Sequence, residues 1–477
     1  MSQAERMSRV DTAWLRMDSK VNLMLIVGVW LMKPGITLEQ ARERIADRLL
    51  KYDRFKQKVV LDAIGANWVF DEDFDIARHV VAEKLTRRRG QTERQALQQR
   101  CGELASTPLD HDHPLWQFHL VEHYEGGSAL ICRIHHCIAD GIALMTVTLS
   151  ITDGGSAPPK RPAPAPEEAH DGDWLAEAVL KPLTDLTAKA VGMYSDGIAK
   201  SMDALAHPQQ PLLGSVEMAR TAYQVVHDAA ALALMSDDSP TLLKGTPIGK
   251  KVVAWNEPLP LDVVKSVSKG LGCSINDVLL ACAAGAIGQY LRERGEEPAG
   301  KEIRAMVPVN LRPLEKAWQL GNRFGLAPLV LPIGIENPIE RVFAVRQRMS
   351  ELKGSYQPLL AFAILAMSGL FIKPVQDAVT GLFAKKSTAV MTNVPGSAQT
   401  LSFCGAELLQ SIFWVPQSGD IGIGISILSY RGGVQFGLIT DRKLCPRPQD
   451  IIDRFEPEFQ KLLLVTLMLP WGGEEAE

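Results

Sequence analysis

Two adjacent histidines, His135 and His136, close an apolar run in the stretch "ICRIHHCIADGIAL", and Asp140-Gly141 follow shortly after. An imidazole with an unperturbed pKa near about 6.5 is the natural general base at physiological pH, able to take a proton from a hydroxyl as that oxygen attacks a carbonyl. The run before the pair reads as a strand, so Leu130, Cys132, Ile134 and His136 share one face and Ala129, Ile131, Arg133 and His135 the other. The two rings then point in opposite directions: one serves the chemistry and the other supports it. Gly141 would let the backbone turn sharply after the strand. The Asp140 carboxylate would hold that turn, through backbone N–H groups or through an arginine.

Three other readings compete for the pair. A metal site wants a third ligand, and His111, His113, His119 and His123 lie near in sequence, but none stands at a recognised zinc spacing. A serine hydrolase wants the elbow Gly-x-Ser-x-Gly, which is not evident. A purely structural pair is the ordinary reading of lone histidines. It weakens here because His-His-x3-Asp-Gly arises by chance in a chain of this length on the order of once in a thousand.

The chain that must position these residues has 477 residues, too many for one ordinary core, so two domains are expected. Hydrophobic residues at 46% and charged residues at 22% read as globular, and a net charge of -4 argues against nucleic acid as a partner. The seven cysteines form no CxxC pair, and the polar start "MSQAERMSRVDTAW" carries no leader-like apolar segment, which together favour a reducing cytoplasm. The apolar stretch "PLLAFAILAMSGLFI", Pro358 to Ile372, is shorter than the roughly 20 residues of a spanning helix. It reads as a buried core helix or as the wall of a lipid site.

"LEQARERIADRLLKY" carries Leu38, Ala41, Ile45, Leu49 and Leu50 at helical spacing, while "ANWVF" and "SALICRI" read as strands. "GGSAPPKRPAPAPEEAHDGD" is an extended, exposed linker by composition, and from Trp174 to about Asp237 the pattern is helical. This divides the chain into residues 1–153, a linker over 154–240, and a second domain over 241–477. "VEHYEGGSALICRIHH" and "SILSYRGGVQFGLITD" both read as strand, Tyr-x-Gly-Gly turn, strand, with the glycines supplying the positive φ of a tight hairpin. Such hairpins are common, but the pair also fits two diverged copies of one unit. The second copy ends in Ile439-Thr440-Asp441 where the first has the histidines.

His135-His136-x3-Asp140-Gly141 resembles the HHxxxDG signature of acyl-CoA-dependent acyltransferases related to chloramphenicol acetyltransferase. Pro114-Leu115-Trp116, Asn276-Asp277, "VPVNLRP", "TNVPG" and the opening "DTAWLRMDSKVNLM" narrow the resemblance to the bacterial wax ester synthase/diacylglycerol acyltransferase family, over nearly the whole chain. One departure is Leu23-Met24-Leu25-Ile26, where many members carry a Met-His pair, which obscures acceptor preference.

The resemblance implies an α/β (α+β) fold: two chloramphenicol-acetyltransferase-like domains joined by a helical linker, with the active site at their interface. It implies transfer of a long-chain acyl group from acyl-CoA to a long-chain alcohol or a diacylglycerol, with no metal or cofactor beyond the CoA thioester. His136 becomes the general base acting by direct attack in a ternary complex, with His135 supporting and Asp140 structural. Arg312 is the expected partner of Asp140. Asn276 is the candidate oxyanion donor, with a helix cap after "GCS" as the plainer reading of Asn276-Asp277. Pro114, Leu115 and Trp116, and Asn393, Pro395 and Gly396, are candidates for substrate contact or packing. Lys385, Lys386 and Arg323 are available cations for the CoA phosphates. A water-insoluble product implies a cytoplasmic protein held loosely at the inner membrane face or at lipid inclusions, with "LLLVTLMLPW" as a contributor. A condensation-type or short-chain acyltransferase is the alternative.

Overall fold

The computed structural model describes residues 4–62, 65–155, 224, 227–228, 231–232, 234–312, 320–368 and 373–468. Most of the expected linker, including the helical pattern from Trp174, lies outside the described residues.

The first half runs β1 (Glu5–Arg6), α1 (Arg9–Arg16), β2 (Leu25–Lys33), α2 (Leu38–Arg48), β3 (Gln57–Asp62), β4 (Gly65–Phe70), α3 (Ile76–His79), β5 (Val80–Ala82), α4 (Glu93–Ala105), β6 (Trp116–Tyr124), β7 (Gly127–His135) and α5 (Gly141–Ile151). The second half opens with β8 (Lys251–Trp255), β9 (Leu259–Pro260), α6 (Leu261–Gly270), α7 (Ile275–Arg292), β10 (Ile303–Asn310), β11 (Phe324–Leu331) and α8 (Pro338–Lys353). It continues with α9 (Gln357–Ser368), α10 (Lys373–Lys385), β12 (Ala389–Pro395), β13 (Ser402–Phe403), β14 (Ala406–Trp414), β15 (Ile423–Tyr430), β16 (Gly433–Asp441) and α11 (Gln449–Met468).

Two mixed sheets carry the fold. One has the order β13-β14-β2-β7-β6-β5, the other β11-β10-β12-β15-β16-β8, and β1, β4 and β3 form a small third sheet. The repeated hairpin belongs to a longer echo. β5 lies parallel to β6, which pairs antiparallel with β7, which pairs antiparallel with β2. β12, β15, β16 and β8 repeat that arrangement in the second sheet.

The hairpin turns hold a detail the sequence reading had shifted. Positive φ falls on Glu125 and Gly126 in one and on Arg431 and Gly432 in the other, so the second glycine of each Gly-Gly is not the turn residue. Gly127 is needed for closeness instead: a Cβ there would lie 2.0 Å from the Met32 carbonyl oxygen.

The domain division needs one correction. β14, from the second half, pairs antiparallel with β2 from Glu407–Lys33 to Trp414–Val27, so residues 402–414 complete the first sheet. Residues 241–477 are therefore not a self-contained unit. α4 also crosses over to pack on β8, close enough that a Cβ on Gly102 would sit 2.5 Å from the Lys251 carbonyl oxygen.

The helices start where their caps dictate. Thr37 with Gln40, Thr92 with Gln95 and Ser274 with Asp277 each close a reciprocal capping box. The cap of α7 is thus Ser274, whose N–H donates to Asp277, and Asn276 takes no part in it. The apolar stretch from Pro358 forms α9 with Phe362 and Ala366 buried, packed against β11 so tightly that Gly325 admits no Cβ beside the Pro358 carbonyl. Among the described residues, no single helix is long and apolar enough to cross a membrane.

Candidate active site

β7 ends at His135, paired in register with Leu25, and the next residue donates its N–H to the Met24 carbonyl at 2.7 Å. The alternation read from the sequence holds. Leu130, Cys132 and Ile134 belong to one core and Ala129 and Ile131 to another, and the two histidines leave the strand on opposite sides.

His136 faces a cavity of about 330 Å³ between the two sheets. Its walls come from both halves of the chain: Trp14, Ile26 and Ile134 on one side, Asn310, Phe324 and Thr392 among others on the other. The Trp14 indole stacks on the His136 ring at 4.3 Å with a 14° tilt, and the Phe324 ring lies 5.5 Å away. His136 Nδ1 is sealed from solvent, so Nε2 is the ring nitrogen left for a substrate. Burial pulls the His136 pKa down to about 4, with its own carbonyl and the Asp140 charge offsetting only part of that effect. The ring is a free base at neutral pH.

On the other side of the strand His135 sits 3.3 Å from Asp18, an ion-pair distance without a straight hydrogen bond. The Cys137 N–H donates to Nδ1 at 3.1 Å, so the geometry holds the tautomer whose Nε2–H faces Asp18. The Asp18 carboxyl, which burial alone would raise, is held below its usual range by His135 and by the Met24 N–H.

Asp140 is buried and saturated. One oxygen caps α5 by accepting from the Ala143 N–H at 3.0 Å, and the other accepts from Arg312 Nη2 at 2.9 Å and the Arg323 N–H at 3.0 Å. The backbone-or-arginine alternative thus resolves as both. Gly141 differs from expectation. It opens α5 with ordinary backbone, and a Cβ there would meet nothing within 4 Å, because it borders the cavity. Its smallness leaves room and is not required by the turn.

Several sequence candidates land elsewhere. Leu115 and Trp116 are core residues: the Trp116 indole N–H donates to the Phe55 carbonyl at 2.8 Å and its ring stacks on His79. None of Pro114, Leu115 and Trp116 borders the cavity, so substrate contact gives way to packing, although the Leu115 carbonyl accepts the His135 N–H. Asn276 is exposed, and its side-chain oxygen accepts from Asn393 Nδ2 at 2.7 Å. It borders a second cavity of about 370 Å³ and not the one His136 faces, so it does not sit where an oxyanion would form there. Asn393 borders both cavities, whereas Pro395 and Gly396 border neither. Lys386 donates to the Met235 carbonyl, Lys385 is exposed, and Arg323 serves the site through its backbone.

The family models place the chain. Residues 7–279 match the wax ester synthase/diacylglycerol acyltransferase catalytic domain and residues 320–463 the C-terminal domain of the same family. The chain belongs to the wax ester synthase/diacylglycerol acyltransferase family. Among its relatives are two probable diacylglycerol O-acyltransferases of Mycobacterium tuberculosis H37Rv. Tgs1 is 25% identical over 91% of this chain and 90% of its own length, and tgs2 is 27% identical over 95% and 97%. The fold matches the wax ester synthase/diacylglycerol acyltransferase of Marinobacter aquaeolei VT8, with TM-score 0.64, 21% identity, and 97% and 100% of the two chains covered. It also matches the first condensation domain of the calcium-dependent antibiotic synthetase, with TM-score 0.58, 14% identity, and 98% and 97% covered. The protein is thus an acyltransferase with the expected two-domain, chloramphenicol-acetyltransferase-like fold.

In this acyltransferase four site residues escaped the sequence reading. Trp14 stacks on the His136 ring. Asn322 donates from Nδ2 to both the His136 carbonyl and Asp11, each at 2.7 Å, and its N–H also reaches Asp11. Burial pushes the Asp11 carboxyl up to about 6. Asp18 faces His135. Three of the four lie within "DTAWLRMD", which supported the resemblance without any role being attached to it. Asp11 and Trp14 stand at i and i+3 on α1, a spacing that puts both on one helix face.

Proposed function

We propose that this acyltransferase moves a long-chain acyl group from acyl-CoA to a fatty alcohol or a diacylglycerol, with His136 as general base in a ternary complex. The observation that carries this is a free-base imidazole opening into a largely apolar cavity built by both sheets. The acceptor hydroxyl gives its proton to Nε2 as its oxygen attacks the thioester carbonyl, and the proton then leaves with the CoA thiol. The imidazolium formed in passing lies against the face of Trp14, a position that favours positive charge. The thioester supplies the driving force, so no resident cofactor is required. The relatives' names support diacylglycerol as one acceptor. The exposed Leu464, Leu467 and Met468 at the end of α11 support a peripheral contact with a lipid surface in the cytoplasm.

The test is CoA release from palmitoyl-CoA with hexadecanol or dipalmitoylglycerol, for wild type and His136→Ala. Release should require an acceptor and fall about a hundredfold or more in the variant. A folded wild type that accepts only short-chain acyl-CoA, releasing CoA, or only carrier-bound donors, releasing the carrier thiol, would transfer the reading to a short-chain or a condensation-type acyltransferase respectively.

A further inference from the structure

The second cavity, of about 370 Å³, has walls of Leu280 on α7, Val307 and Val309 on β10, Met349 and Leu352 on α8, and Met391 on β12, with Lys353 and Tyr356 also among its lining. It shares Pro308 and Asn393 with the cavity that His136 faces. The two strands that carry these shared residues explain how the cavities meet. β10 and β12 run parallel and pair only at Ala305–Ala389 and Met306–Val390. Beyond that point both continue, β10 to Asn310 and β12 to Pro395, each fully paired to its outer neighbour. Between them the ladder stops. Pro308 lies in the stretch where it stops and has no N–H to offer a partner strand.

Strand alternation sorts the walls accordingly. Val390, Thr392 and Val394 face the His136 cavity, while Met391 faces the second one, with Asn393 reaching both. The sheet is therefore a partition with a slot at the carboxyl ends of two parallel strands. Parallel sheets commonly take ligands at that end. The Asn393–Asn276 amide pair stands beside the slot, and Asn276 is open to solvent.

We infer that a substrate methylene chain threads this slot, with its reacting end at His136 and its tail in the second cavity. The inference rests on the reading given under Proposed function. The occupant is an unbranched hydrocarbon chain, because the walls beyond the slot are mainly Leu, Val and Met and offer no buried charge. Such a chain comes either from the acyl donor or from the alcohol acceptor.

The experiment measures kcat/KM for acyl-CoA donors from C6 to C18 with one fixed alcohol, then for alcohols from C6 to C18 with one fixed donor. It uses wild type, Val309→Trp and Val309→Ala, with far-UV circular dichroism and melting temperature recorded for each. Val309→Trp should lower the C16-to-C8 ratio at least tenfold in one of the two series, and that series identifies the chain. Val309→Ala should shift the optimum of the same series toward longer chains. Ratios within twofold of wild type in both series, with both variants folded, overturn the inference while leaving the acyltransfer reading intact. A Val309→Trp protein that fails to fold leaves Val309→Ala to decide, since an unshifted optimum there overturns the inference as well. A wild type inactive on every chain length overturns both readings.

Discussion

The chemistry proposed for His136 depends on what surrounds it. A solvated histidine would titrate near about 6.5, but this ring is enclosed by Trp14, Phe324 and the loop it sits on, and burial moves its pKa to about 4. The sign follows directly. With His136 as the general base proposed above, the working form is unprotonated, so activity is lost as pH falls through the folded-state value and is flat above it. A profile of kcat/KM against pH should be level from pH 5 to 8 and fall with a midpoint near 4. A midpoint near 6.5 would mean that water reaches the ring. The pair His135-His136 and the opposite orientation of its members were legible in the sequence, because strand alternation is a local rule. Trp14 was not, because nothing in "DTAW" says where its indole lands.

The turn from His136 to α5 is held by Asp140, and Asp140 is held by Arg312 and the Arg323 N–H from the loop between β10 and β11. Both charged side chains are almost wholly buried, so removing one partner strands the other. Arg312→Ala should destabilise the fold by about 3–5 kcal/mol in urea unfolding. Asp140→Asn keeps one oxygen for the α5 cap and should cost less. An Arg312→Ala loss below about 1 kcal/mol, the value of an exposed pair, would show that water replaces the guanidinium. The partnership itself was an expectation carried by the resemblance. At this scale the Tyr-x-Gly-Gly hairpins were also legible, since turn chemistry is local. Pro114-Leu115-Trp116 was legible as packing or substrate contact, and the core position of Leu115 and Trp116 decides for packing: a tryptophan in a core and a tryptophan in a binding wall look alike in one dimension.

The molecule as a whole is joined by elements that cross between its halves. β14 closes the first sheet beside β2, and α4 packs on β8. Residues 1–279, which contain the whole 7–279 match to the catalytic family model, would leave β2 with a bare edge along the register that β14 now fills. Exposed apolar edges of that kind drive self-association. A fragment of residues 1–279 should therefore elute as aggregate in size-exclusion chromatography, whereas the full chain does not. A monodisperse, cooperatively melting fragment would show that the first half is an independent domain after all.

Local rules carried the sequence far: strand alternation separated the two histidines, and turn residues located the hairpins. A signature of four fixed residues, read with its companion motifs as a resemblance, led to the family. What only the tertiary structure decided were contacts between segments far apart in the chain. Asn322 on the His136 carbonyl, Trp14 on its ring, β14 beside β2, and the slot between β10 and β12 all depend on through-space packing. No periodicity in the chain encodes such contacts, because each partner satisfies its own local pattern wherever the other lies.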